Sequence, residues 1–167
     1  MNEVYEEWLV RRKTPGWFYV ALPAAILGTV ILGILGAMFI PYIGFIFWIF
    51  PAIGVYFLSQ RKIVEYEYIF VTGELTIDRI LNESRRKRMK AIDMSSVSVI
   101  AALDTHELDG QMGNSQIKKI DYTSQEPGRR IFGVLASEQG VSQIYLIEPS
   151  AKMMAAIKKT APRKVVM

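Results

Sequence analysis

"YEYIFVTGELTIDR" occupies Tyr66 to Arg79. Tyr66, Tyr68 and Phe70 fall on every second position with Glu67 between, and Val64 and Glu65 extend the alternation backward, so this stretch reads as a half-buried strand and not as a helix. Thr72 and Gly73 turn the chain. Leu75, Ile77 and Leu81 then alternate with Thr76 and Asp78, which predicts a second strand and hence a β-hairpin. Asn82, Glu83 and Ser84 are turn formers. The basic cluster that follows, Arg85 to Lys90, carries five positive charges in a chain of net charge +4. It reads as a continuation of that turn.

Downstream the punctuation stays that of a β protein. Met89, Ala91, Ile92, Met94, Val97 and Val99 form an apolar run interrupted at Ser95 and Ser96, consistent with a third strand that breaks and resumes as a fourth. Ala102 to Ser115 is polar and glycine-containing, and reads as a loop. Further strands are expected from Ile117 to Tyr122, Ile131 to Ala136 and Val141 to Ile147, with a turn at Glu126, Pro127 and Gly128. The last element is helical: Ser150 suits an N-cap, Met153, Met154 and Ile157 share a face, Lys158 and Lys159 suit the C-terminal turn, and Pro162 stops it.

Upstream the character changes. From Thr14 to Gln60 there is no Asp, Glu, Lys, Arg or His. As one helix this 47-residue stretch would measure about 70 Å against a hydrocarbon core of about 30 Å, so two spans fit better than one. Pro41 divides it into Trp17 to Ile40 and Tyr42 to Ser59. The short connection makes the spans antiparallel. Arg11, Arg12 and Lys13 before them, Arg61 and Lys62 after them, and none in the turn put both termini in the cytoplasm. A cleaved signal peptide is disfavoured because its apolar region runs only about 7 to 15 residues. Ala25, Thr29, Gly33 and Ala37 make a small-residue stripe that receives either the second span or a second copy of the chain as a homo-oligomer. Before the spans, Val4, Tyr5, Trp8 and Leu9 fall on one face of an expected short helix, lying in the interface or docked on the cytoplasmic domain.

Chemistry-bearing motifs are few. The chain has no cysteine, which excludes disulfides, a thiolate nucleophile and a Cys-type zinc site. His106 in "DTHELDG" matches neither an EF-hand loop nor a paired-histidine zinc motif, so no metal site is assigned. Without a second histidine, a phosphate loop or a nucleophile elbow, no catalytic residue and no cofactor is expected, and the chain is not read as an enzyme. Three readings apply to the cluster: a solvated turn that keeps strand edges soluble, a lipid-contact patch of Arg85, Arg86, Lys87, Arg88 and Lys90, or a nucleic-acid contact. The last is disfavoured because no aromatic residue is interleaved in the run. The solvated turn predicts that replacing Arg85, Arg86, Lys87 and Arg88 by glutamine leaves stability almost unchanged.

With "YEYIFVTGELTIDR", the basic turn leading into "MKAIDMSSVSVI", and "YLIEPSAKMMAAIKK", the chain resembles bacterial membrane proteins that carry a pleckstrin-homology-like domain straight after a transmembrane helical pair. The resemblance implies an α+β membrane protein: a two-helix transmembrane hairpin, then a pleckstrin-homology-like β-sandwich or barrel of about seven strands closed by a C-terminal helix. The expected organisation is a cytoplasmic juxtamembrane segment over 1–15, the hairpin over 16–60 and the cytoplasmic domain over 61–167. Eukaryotic relatives of that class bind phosphoinositides through basic residues at the first hairpin turn, but Thr72 and Gly73 supply none, so no inositol-lipid residues carry over. The function expected is a non-enzymatic, multi-pass cell-membrane protein that presents an interaction domain at the cytoplasmic face to an unidentified protein partner, with membrane lipids around it and no nucleic acid. The alternative is an anionic-lipid headgroup sensor that uses residues 85–90.

Overall fold

A computed structural model describes residues 5–39, 44, 46–59, 63–138 and 140–166. The chain divides into two compact units, Thr14–Val64 and the combination of Met1–Lys13 with Glu65–Met167.

The first unit is helical. Helix α1 runs Phe18–Phe39 and α2 runs Ile46–Ser59, each with an internal proline, Pro23 and Pro51. Only α1, with 22 residues, is long and apolar enough to cross a membrane among the described residues. The expected turn at Pro41 and Tyr42, and the flanking Arg61 and Lys62, lie outside them. Thr29, Gly33 and Gly36 are buried. A Cβ on Gly33 would fall inside the Trp48 indole, and one on Gly36 would sit 2.9 Å from the Gly44 carbonyl oxygen. Half of the small-residue stripe is thus the groove in which α2 packs, while Ala37 is exposed.

The second unit is a β-sandwich with one long helix. Strands β1 (Tyr5–Arg12), β2 (Val64–Val71), β3 (Glu74–Leu81) and β4 (Arg85–Asp93) form one sheet in that order. Strands β5 (Val97–Ala102), β6 (Lys118–Asp121), β7 (Phe132–Glu138), β8 (Val141–Ile147) and β9 (Val165–Val166) form the other, in the order β6-β8-β7-β5-β9. Tyr68, Phe70, Leu75, Ile77 and Ile92 from the first sheet, with Ile100, Val134, Ile144 and Ile147 from the second, are wholly or almost wholly buried. The Tyr68 hydroxyl donates across the sandwich to the Tyr122 carbonyl at 2.6 Å. Between β5 and β6, where a loop is expected, a 3-10 turn (His106–Leu108) runs into the short helix α3 (Asp109–Gly113). Its Leu108 packs on Gly133, where a Cβ would meet Leu108 Cδ1 at 2.5 Å. Helix α4, Ala151–Thr160, is capped by the Ser150 side chain accepting from the Met153 amide, as expected, and buries Met153, Met154 and Ile157.

Two expectations are corrected. The helix expected around Tyr5, Trp8 and Leu9 is strand β1, hydrogen-bonded beside β2. Tyr5 donates to Glu7, two residues on, and Val10 is buried where Leu9 is not, which is strand alternation. Eight residues satisfy both periods on paper, and pairing with β2 decides between them. Val4 lies outside the described residues. The basic cluster is not a turn either: it is the first two-thirds of β4. Asn82 and Glu83 adopt φ of 50° and 59°, so the turn closes before Arg85.

Candidate functional site

Turning the cluster into a strand sorts its side chains. β3 and β4 are antiparallel with Leu81↔Arg85, Ile80↔Arg86, Arg79↔Lys87, Asp78↔Arg88 and Ile77↔Lys90 in register. Met89 is the extra residue of a bulge between Ile77 and Asp78. Side chains alternate, so Tyr66, Tyr68 and Phe70 of β2 and Leu75, Ile77 and Arg79 of β3 face the second sheet, while Glu65, Glu67, Thr76 and Asp78 face away from it.

On that outward face the acids are almost completely covered: Glu67 is 3% exposed and Asp78 5%. Arg86 lies over both, 2.5 Å from Glu67 and 4.0 Å from Asp78, and Arg88 is 3.8 Å from Asp78. Neither Glu67 Oε2 nor Asp78 Oδ1 accepts a well-directed hydrogen bond, so the guanidinium charges are what compensate their burial. Burial and a hydrogen bond with Glu7 hold the Glu67 carboxyl above the usual range against the pull of Arg86. Bonds from Tyr5 and Glu67 hold Glu7 below it.

Lys90, past the bulge, pairs with Glu138 at close range and lies 5.8 Å from the Tyr145 ring centroid. The bond to Glu138 raises its pKa, with partial opposition from burial. Nearby on the inner side, Tyr122 packs on Tyr66 edge-on and stacks with Tyr145, and Arg12 bonds the Tyr66 hydroxyl at 2.9 Å and approaches Asp121 to 3.7 Å. Burial pushes the Asp121 carboxyl up, but bonds from Thr123 and Gln125, with Arg12, bring it to a net position below the usual range.

Of the five expected lipid-contact residues, Arg86, Arg88 and Lys90 therefore have acidic partners, and Arg85 and Lys87 are exposed without one among the described residues. Sequence reading missed Arg79, which stands directly opposite Lys87 and whose Nε is buried without a hydrogen-bond partner among the described residues. The signal was available in the alternation of "ELTIDR", which puts Arg79 on the same face as Leu75 and Ile77. His106 sits in the exposed turn with Nδ1 2.8 Å from Asp109, which raises its pKa.

Residues 2–167 match the family described as Bacterial PH-like domain (DUF6106). No curated protein and no solved structure matches the chain.

Proposed function

The chain belongs to this bacterial PH-like domain family, and from that premise we propose that it is a non-enzymatic, multi-pass protein of the cell membrane that presents its PH-like domain to a protein partner at the cytoplasmic face, with both termini cytoplasmic. One observation carries the reading: β1 and β2, the strands on either side of the uncharged segment, are hydrogen-bonded neighbours in one sheet. A segment whose two flanks share a sheet must return to the side it left, so it crosses a membrane an even number of times. Helix α1 spans about 33 Å at 1.5 Å per residue, enough for one crossing. The return is assigned to the segment that contains the apolar helix α2. Arg11, Arg12 and Lys13 favour the cytoplasmic side for those flanks. Reporters fused at either end should both signal from the cytoplasm, and an external signal from either end overturns the topology.

The alternative reading, an anionic-lipid headgroup sensor, is favoured by Arg85 and Lys87, which are exposed and have no acidic partner among the described residues. Each basic residue near an anionic surface contributes about 1 kcal/mol. Two cations without an acidic partner among the described residues, in place of five, lower the attraction of the cluster from about 5 to about 2 kcal/mol. Salt separates the readings. Copurification with anionic lipid that is lost between low and physiological ionic strength supports the sensor, and indifference to salt supports the protein-contact reading.

A further inference from the structure

We infer that Arg79, Arg85 and Lys87 form a receptor for a phosphate group at the end of the first sheet. This deepens the lipid reading and rests on it only for the source of the phosphate. Arg79 and Lys87 are direct cross-strand partners, and Arg85 lies two residues from Lys87 on the same face. Like charges placed directly opposite each other destabilise a sheet. The other three cations of the cluster have carboxylates, and these three have none among the described residues. The Arg79 Nε is also buried with no acceptor among the described residues, a loss that an incoming acceptor recovers. Arg79 shares its side of β3 with the fully buried Leu75 and Ile77, which places it on the inner side of the sheet, where fields are less screened than in water.

A guanidinium fork with an ammonium and a second guanidinium on the same strand face carries donors enough for three phosphate oxygens. A phosphate monoester, with a charge of roughly −1.5 to −2 at neutral pH, matches that set better than a single carboxylate. A lipid headgroup with a terminal phosphate and a free phosphate both present that group. Arg12 near the end of β1 bonds Tyr66 near the start of β2, so the strand ends that continue into the uncharged segment lie at the same end of the sheet as Leu81 and Arg85.

The test uses the full chain in dodecyl maltoside, a detergent without phosphate, and follows acetylation of Lys87 by mass spectrometry with exposed Lys118 as internal reference. Inorganic pyrophosphate should slow Lys87 acetylation at least fivefold and leave Lys118 unchanged. Arg79→Gln should abolish the protection and Arg85→Gln, at an exposed position that cannot unfold the sheet, should weaken it severalfold, while Arg88→Gln retains it. Protection by added phosphatidic acid but not by pyrophosphate assigns the phosphate to a lipid headgroup, and protection by both assigns it to the phosphate group itself. Three results overturn the site: no protection by either, equal loss in Arg79→Gln and Arg88→Gln, or equal protection by a polyglutamate peptide. Membrane insertion fails separately, when alkaline carbonate releases the chain from membranes while pyrophosphate still protects Lys87.

Discussion

The sharpest consequence of the strand assignment is that neighbouring arginines in one basic run should differ in what they hold together. Replacing Arg86 and Arg88 by glutamine leaves Glu67 and Asp78, 3% and 5% exposed, without their counter-charges. Removing one partner of a fully buried pair costs about 3–5 kcal/mol, and an exposed pair contributes about 0–1 kcal/mol. The Arg86 and Arg88 side chains are 54% and 70% exposed, so the loss falls between these limits. We place the double variant at about 2–3 kcal/mol, less than additive because Arg86 serves both acids. For a domain of this size that lowers Tm by roughly 8–12 °C. Arg85→Gln with Lys87→Gln should stay within about 0.5 kcal/mol, or gain slightly as the repulsion with Arg79 is relieved. The pH dependence follows in sign. A carboxyl with a raised folded pKa contributes stability that is present below its unfolded pKa and lost as pH rises through the folded one. Removing Arg86 leaves the raising causes unopposed, so the Arg86/Arg88 variant should lose more at pH 7 than at pH 4. Thermal unfolding of the full chain in detergent, followed by circular dichroism, reads both. Equal Tm losses in the two double variants, or a loss independent of pH, would refute the pairing argument.

In the helical unit, Gly33→Val should drive a side chain into Trp48 and cost about 1–3 kcal/mol, whereas Gly28→Ala, with nothing within 4 Å, should be neutral. Comparing detergent-solubilised variants by thermal unfolding checks this. A fragment starting at Glu65 should fail to give a dispersed amide NMR spectrum because it lacks β1, and residues 5–13 joined to 65–167 by a short Gly/Ser linker should restore it. His106 should titrate above the ordinary histidine value in an NMR experiment, and Asp109→Asn should return it to normal.

Strands β2, β3 and β8 and helix α4 were legible because each has one dominant period and a clear stop: Thr72 and Gly73 at the hairpin, Gly140 before β8, Ser150 and Pro162 around α4. Where the reading failed, two signals competed. In β1 the apolar residues fit helical and strand spacing alike, and the partner strand that decides lies beyond the whole uncharged segment. In β4 the charge density resembles a solvated turn, yet an edge strand tolerates it because one face can rest on buried acids and the charges discourage further edge pairing. The candidate site was legible as composition only. Which cations are free depends on Glu67, Asp78 and Glu138, which are distant in sequence, and on a one-residue bulge.

The position of β1 also bears on how the sheet forms. Bringing Lys13 and Glu65 together across about 51 intervening residues costs about 3–4 kcal/mol of loop-closure entropy if those residues are a flexible chain. That is a large part of the stability of a small domain. If the segment is instead a packed helical pair with its ends on one side, most of this cost is met when α1 and α2 associate, and β1 is delivered to β2 at little further expense. Groove packing at Gly33 and Gly36 then lowers the closure cost that pairing β1 with β2 must meet. The short linker in the excised domain does the same by shortening the loop. A linker of about 50 flexible residues should therefore fold less stably than one of about 6, by close to 2 kcal/mol. Equal stabilities for the two linkers would mean that β1 docks for reasons other than chain closure.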